Sequence, residues 1–157
     1  MNKNDIRRAG PDDAGLVREM LGELADHQDE GEFVLVTVDH WRELLGRDDV
    51  IVLLAERAGE GMGYVSALRR PYLWTGGEVL ALDDLYVRKA FRDSGVGREL
   101  MIELARYAQP DNLTITWGMR PENDQAQRFY TRLGARLRPK VVASWAPTSY
   151  ADLLPPP

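Results

Sequence analysis

Leu80-Ala81-Leu82-Asp83-Asp84-Leu85-Tyr86-Val87 runs into Arg88-Lys89-Ala90-Phe91 and then Arg92-Asp93-Ser94-Gly95-Val96-Gly97-Arg98-Glu99-Leu100. An apolar, β-prone run leads into a loop with two glycines, and a helix pattern follows at once. Glycine lets the backbone bend so that successive N–H groups converge on one point. The helix start adds unpaired N–H groups and the positive end of its dipole. That geometry suits a pyrophosphate, with Arg92 and Arg98 adding charge and Arg88 and Lys89 near enough to reach phosphates. A Walker A loop is excluded, because Gly97 is followed by Arg98-Glu99 rather than Lys-Ser/Thr. A dinucleotide fingerprint is excluded by Leu100, where Gly or Ala is needed. A lone Gly-x-Gly also fits an ordinary loop, so the rest of the chain has to decide. Asp83 and Asp84 interrupt the apolar run, where acids are disfavoured, and imply a cleft or a strand bulge.

Working outward, Asp5 to Ala9 reads as a first strand, and Pro11-Asp12-Asp13 opens a helix with an apolar stripe of Ala14, Leu16, Val17, Met20, Leu21 and Leu24. A shorter helix follows Thr37 and stops at Gly46. Val50 to Ala55 is a buried strand, the stretch 57–62 a hairpin turn and Gly63 to Leu68 the returning strand. A loop over 71–77, with Gly76-Gly77 as its turn, precedes the strand Glu78 to Val87. A helix over 98–108, a strand over 113–117 and a helix over 124–133 stopped by Gly134 come next. Two strands, 135–137 and 141–145, are expected to finish the chain. The order β-α-α-β-β-β-α-β-α-β-β describes one α/β domain over 1–157, a curved mixed sheet flanked by helices, with 1–4 and 151–157 as flexible tails.

Composition limits the function. With no cysteine there is no disulfide, thiol nucleophile or Cys-ligated metal, and His27 and His40 lack paired ligand spacing, so no metal is expected. No apolar run reaches the ~20 residues of a membrane span, the first residues are polar, and a cytoplasmic location is expected. The net charge of −5 argues against nucleic acid. Charge is unevenly spread: residues 1–87 hold 9 Lys/Arg against 18 Asp/Glu (−9), and residues 88–140 hold 11 against 6 (+5). That division suits a protein handling a cation and a polyanion together, and it also fits two ordinary solvated faces.

Two motifs carry a family resemblance. Arg92-Asp93-Ser94-Gly95-Val96-Gly97 resembles the Q/R-x-x-G-x-G/A signature of the GNAT superfamily of N-acetyltransferases. Asn123-Asp124-Gln125-Ala126-Gln127-Arg128-Phe129-Tyr130, ending in Gly134-Ala135, is similar to that family's second motif. The resemblance implies the GNAT fold, acetyl-CoA as cosubstrate and direct transfer to an amine without an enzyme nucleophile. It implies that Leu85, Tyr86 and Val87 contact the pantetheine arm and that Arg92, Asp93, Ser94, Gly95, Val96, Gly97 and Arg98 hold the pyrophosphate. Asn123 and Phe129 would lie by the cofactor. Tyr130 would protonate the leaving thiolate, a task for a phenol with pKa near 10. Packing on the sheet is the competing role, above all for Phe129.

A base must take the ammonium proton. Asp83 stands where spermidine/spermine acetyltransferases carry a glutamate, one methylene longer, so Asp83, Asp84 or a bridging water is open. From Glu19 to Trp41 there is no Lys or Arg but seven acids, Glu19, Glu23, Asp26, Asp29, Glu30, Glu32 and Asp39. Such a wall would draw a polycationic amine. By resemblance to the diamine acetyltransferases, Asp26, Glu30, Trp74 and Asp83 are candidate acceptor contacts, Trp74 by stacking on an alkyl-ammonium chain. An aminoglycoside, a protein amine or a purely acyl-CoA-binding role are the alternatives. A homodimer through Val141 to Trp145 is expected.

Overall fold

The run Val50 to Ala55 has no polar side chain to give to water, and it becomes the start of β2 (Val50–Arg57), buried on both faces. The sheet grows from it by hairpins. Ala58 and Gly59 both take positive φ, 50° and 80°, which gives the tight two-residue turn that matches strand twist and brings back β3 (Glu60–Tyr72). β4 (Gly77–Val87) returns again, and β1 (Asp5–Arg8) lines the other edge of β2. β5 (Thr114–Thr116) pairs with β4 in parallel, so the five-stranded sheet is mixed and runs in sequence order. β3 and β4 are longer than their apolar cores predict, because hairpin pairing continues through Pro71 with Glu78 and Tyr72 with Gly77. This computed structural model describes residues 4–157.

Helices cover both faces of the sheet. α1 (Ala14–His27) follows a single 3-10 turn at Pro11–Asp13, and α2 (Val38–Leu45) starts at Thr37. Thr37 Oγ1 accepts from the His40 amide while His40 Nδ1 accepts from the Thr37 amide, each at 3.1 Å, so His40 caps a helix. Val17, Met20 and Leu24 of α1 and Trp41 and Leu45 of α2 pack with Val50, Val52, Leu54, Tyr64 and Tyr86. Strand alternation puts Ile51, Leu53 and Ala55 on the opposite face, which α3 (Val96–Ala108) covers with Val96, Leu100, Met101, Leu104 and Ala108.

The chain divides into two compact units, Met1–Gly118 and Met119–Pro157. In the second, α4 (Asp124–Arg132) ends at Gly134, whose φ of 93° reverses the chain. The two strands expected over 135–137 and 141–145 are not formed: the segment is irregular up to α5 (Pro147–Tyr150). Pro139 removes a ladder donor between them, Val141 and Val142 are 92% and 87% exposed, and Trp145 packs edge-on against Tyr150 of α5, ring centres 5.6 Å apart, rather than on a strand. The expected tails are also partly ordered. Residues 1–3 lie outside the described part, but Asn4 is anchored, donating to Glu99 at 2.8 Å and accepting from Arg57 at 2.8 Å. Residues Ala151–Leu153 form a 3-10 turn.

Candidate active site

The two acids in β4 lie at a β-bulge. Ser66 pairs with Asp84 and Ala67 with Leu82, so Asp83 is the extra residue and has no partner in the ladder. The Asp84 amide is met instead by the buried Ser66 hydroxyl, at 3.2 Å. Asp84 shares a face with Tyr86 and, across the hairpin, Tyr64, the face that α1 and α2 cover. Tyr64 is fully buried, and its hydroxyl makes no hydrogen bond of ordinary geometry, so its contact with Asp84 is a loose one. Burial pushes the Asp84 carboxyl above the usual carboxylate range; the neighbouring Asp83 charge pushes it further, and the Tyr64 hydroxyl partly opposes this. Asp83, more open to solvent, is pushed up by partial burial. Burial first, then the Asp84 charge, holds the Tyr64 phenol far above its ordinary value.

Past the bulge, no strand among the described residues pairs with β4 on its β5 side. Its pairing with β5 ends at Ala81 opposite Thr116, while β4 continues to Val87. The Arg88 amide donates to Met62 O at 2.8 Å, which sets the antiparallel ladder so that Tyr86 turns its main-chain groups to β3 and Leu85 and Val87 turn theirs to the open edge. Val87 O is already occupied there, accepting from Arg92 Nε at 3.0 Å. What remains for an extended ligand is the Leu85 N–H and C=O and the Val87 N–H. Tyr86, expected at the cofactor, is instead turned inward: its ring is buried and its hydroxyl donates to Glu23 Oε2 at 2.9 Å. β3 approaches closely here, because Gly63 has no side chain; a Cβ on it would lie 2.4 Å from Tyr86 O.

The glycine turn takes the shape that its sequence implies. Asp93 and Gly95 have φ of 60° and 87°, and the first intrahelical bond of α3 runs from the Glu99 amide to Gly95 O. The amides of Val96, Gly97 and Arg98 therefore precede the helical ladder. Val96 is buried and pins the turn, while Arg92, Ser94 and Arg98 are exposed. The Ser94 hydroxyl is spent inside the turn on Phe91 O, and the Arg92 guanidinium lies 6.0 Å from the Tyr86 ring centre. Asp93 can offer only its main chain, since its carboxylate would repel a phosphate. Arg98 has no ion pair among the described residues.

Arg88, expected near phosphates, is directed elsewhere. Its guanidinium donates to Glu23 Oε1 at 2.9 Å and Oε2 at 3.1 Å, to Glu19 at 2.6 Å and to Gly61 O at 3.1 Å. Two of the seven acids in the expected wall thus share one arginine, which cancels one of their two charges, and Asp39 pairs with Arg42. Asp26, Asp29 and Glu32 are exposed and make no ion pair among the described residues, and Glu30 is half-buried. Trp74 is 90% exposed at the β3–β4 turn. The bulge lies six residues along β3 from the Tyr72–Gly77 pair, about 20 Å at the usual strand rise, so Trp74 and Asp83 are not brought together.

In the second unit, Asn123 Oδ1 accepts from the Ala126 amide at 3.0 Å and caps α4, which leaves its Nδ2 as a donor. Phe129 packs edge-on against Tyr130, ring centres 5.0 Å apart. Tyr130 is buried, and that burial raises its phenol pKa, so the hydroxyl keeps its proton throughout the neutral range.

Ser66 and Tyr64 were not singled out as site residues from sequence, and Glu23 and Arg88 were expected in other roles, at the acceptor wall and at the phosphates. The one available signal was Ser66 within the apolar run 62–67, and its pairing with Asp84 needs the bulged register. Among the described residues no group of three or more His, Asp or Glu could hold a metal ion, and no helix is long and apolar enough to cross a membrane.

A partly unpaired strand edge beside a glycine turn at a helix start is the arrangement that suits an acyl-CoA-dependent transferase. Residues 17–135 match the Acetyltransferase (GNAT) family, and the chain belongs to that family and is an N-acetyltransferase. It is 30% identical over 127 residues to an uncharacterized N-acetyltransferase of Archaeoglobus fulgidus, covering 68% of this chain and 86% of that one. Its fold is similar to an aminoglycoside acetyltransferase from an uncultured soil metagenomic sample, with TM-score 0.77 and 21% identity over 92% of this chain and 98% of that one. It is also similar to an aminoglycoside N-acetyltransferase solved in complex with CoA, with TM-score 0.76 and 21% identity over 92% and 95% of the two chains. Members of the family use acetyl-CoA.

Proposed function

We propose that this enzyme moves an acetyl group from acetyl-CoA to a primary amine of a small cationic acceptor, polyamine-like or diamino-acid-like. The observation that carries the reading is the bulge: it presents two carboxylates on a strand whose far end runs into the phosphate turn. The residues fit the cosubstrate, since the open edge offers Leu85 and Val87 main-chain groups in register with an amide-bearing arm, and the turn offers successive amides with Arg98 beside them. Acetyl-CoA supplies the acetyl thioester.

Leu85 and Val87 orient the arm, and the Val87 N–H suits the developing negative charge on the acyl oxygen. The amides of Val96, Gly97 and Arg98 hold the pyrophosphate. Asp84 takes the ammonium proton on its carboxylate, directly or through one water, and Asp83 keeps a second negative charge at the mouth of the site. An Asp84 carboxyl with raised affinity for protons is a stronger base than an ordinary aspartate. By family resemblance, Tyr130 donates its hydroxyl proton to the leaving sulfur, a role its raised pKa supports by keeping that proton in place. Asp26, Asp29 and Glu32 supply unpaired negative charge for a cationic acceptor.

The test follows thiol release from acetyl-CoA with a panel of polyamines, lysine analogues, aminoglycosides and basic peptides. Turnover concentrated on polyamines or diamino acids is the expected result. Turnover confined to aminoglycosides or peptides overturns the acceptor assignment, and CoA binding without turnover on any amine favours a binding role.

A further inference from the structure

Glu23 is a member of the acidic wall by sequence, but its carboxylate is fully engaged. Both oxygens receive Arg88, at 2.9 and 3.1 Å, and Oε2 also receives the Tyr86 hydroxyl at 2.9 Å. Arg88 directly follows β4, and its amide is fixed to Met62 O while its Nη1 is fixed to Gly61 O. Arg92, which opens the phosphate turn, is tied to the same strand end through Val87 O and the Tyr86 ring. A continuous set of contacts thus runs from α1, through Glu23, to Tyr86 and Arg88, and on to Arg92. A bidentate arginine–carboxylate pair fixes angle as well as distance, which a lysine or a neutral amide cannot reproduce.

We propose that Glu23 is a positioning residue for acetyl-CoA binding: it locks the end of β4 and the phosphate turn against α1, and it takes no part in holding the amine. The inference rests on the proposed use of the turn for acetyl-CoA and deepens it. Glu23 is half-buried and its charge is cancelled by Arg88, so it adds little field for a cation. Its contacts all lead to the edge and turn that receive the cosubstrate, and a small displacement there is costly to binding geometry.

The experiment measures CoA affinity by calorimetry and the KM of each substrate for Glu23→Gln and Arg88→Lys in the full chain. Both variants are expected to weaken CoA binding and raise the acetyl-CoA KM about tenfold, leaving the amine KM within about twofold. The double variant should be no worse than the worse single one, because both break one contact set. A merely structural role would lower thermal stability and leave the CoA affinity of the folded protein unchanged; that result overturns the proposal. A rise in the amine KM alone overturns it as well and returns Glu23 to the acceptor wall. If the unaltered chain binds no CoA, the acetyl-CoA reading itself fails; if it binds CoA and Glu23→Gln binds it equally, only the positioning role fails.

Discussion

Asp84 and Tyr130 are both taken partly out of water, and both pKa values rise, but the consequences differ. For Tyr130 a rise keeps the phenol neutral and loaded. Tyr130→Phe should lower kcat about 10²-fold with little change in thermal stability; full activity would remove Tyr130 from the chemistry. For Asp84 a rise means that the ionised form is the costly one. The folded chain binds this proton more tightly than the unfolded chain does. Stability therefore falls as pH rises from the unfolded carboxylate value of about 3.9 to the higher folded one, and the cost is fully present above that window. Asp84→Asn should then raise the melting temperature at neutral pH, lose that advantage in acid, and lower kcat/KM at least about 10²-fold. Paired melting curves and rate profiles against pH check both. A variant that is no more stable than the parent at neutral pH would mean that the ionised Asp84 carboxylate has partners beyond the Tyr64 hydroxyl.

At the level of elements, the site depends on how β3 and β4 fit together. The bulge at Asp83 shifts the following residues by one, so that the Asp84 and Tyr86 side chains face α1 while the main-chain groups of Leu85 and Val87 point to the edge away from β3. Gly63 sets the closeness of the pair, since a Cβ there would lie 2.4 Å from Tyr86 O and 3.0 Å from Val87 Cα. Gly63→Ala has only backbone to push against and should cost about 1–3 kcal/mol in urea unfolding, with weaker CoA binding from a displaced edge. An unchanged midpoint would show that the strands part without strain. The same fit was invisible in the sequence. Acids in an apolar run indicated a bulge or cleft, but which of Asp83 and Asp84 faces α1 depends on a one-residue register shift that the partner strand decides. The charge reading failed at Glu19, Glu23 and Arg88 for a related reason. A run without Lys or Arg looks like a free acidic wall until an arginine sixty-five positions from Glu23 comes to lie against it.

Across the whole molecule, the clearest departure lies over residues 135–146, where two strands were expected and none is formed. Val141 and Val142 have strand-forming side chains and almost no cover, the pattern of a segment that extends when another chain pairs with it. We expect a homodimer through this segment. Sedimentation should give twice the chain mass of 17.8 kDa, and Val142→Lys should return the mass of one chain. A single-chain mass for the unaltered protein would contradict the pairing. By itself the sequence determined the α/β order up to α4, the glycine turn before α3 and the family, and it indicated a cleft or a bulge at Asp83-Asp84, because these rest on local signals: periodicity, glycine at positive φ, helix starts, and acids where a strand excludes them. Only the tertiary structure decided which carboxylates are free, which way Tyr86 and Arg88 turn and that Trp74 stands far from the bulge, because those outcomes depend on contacts between residues distant in the chain, which no local pattern encodes.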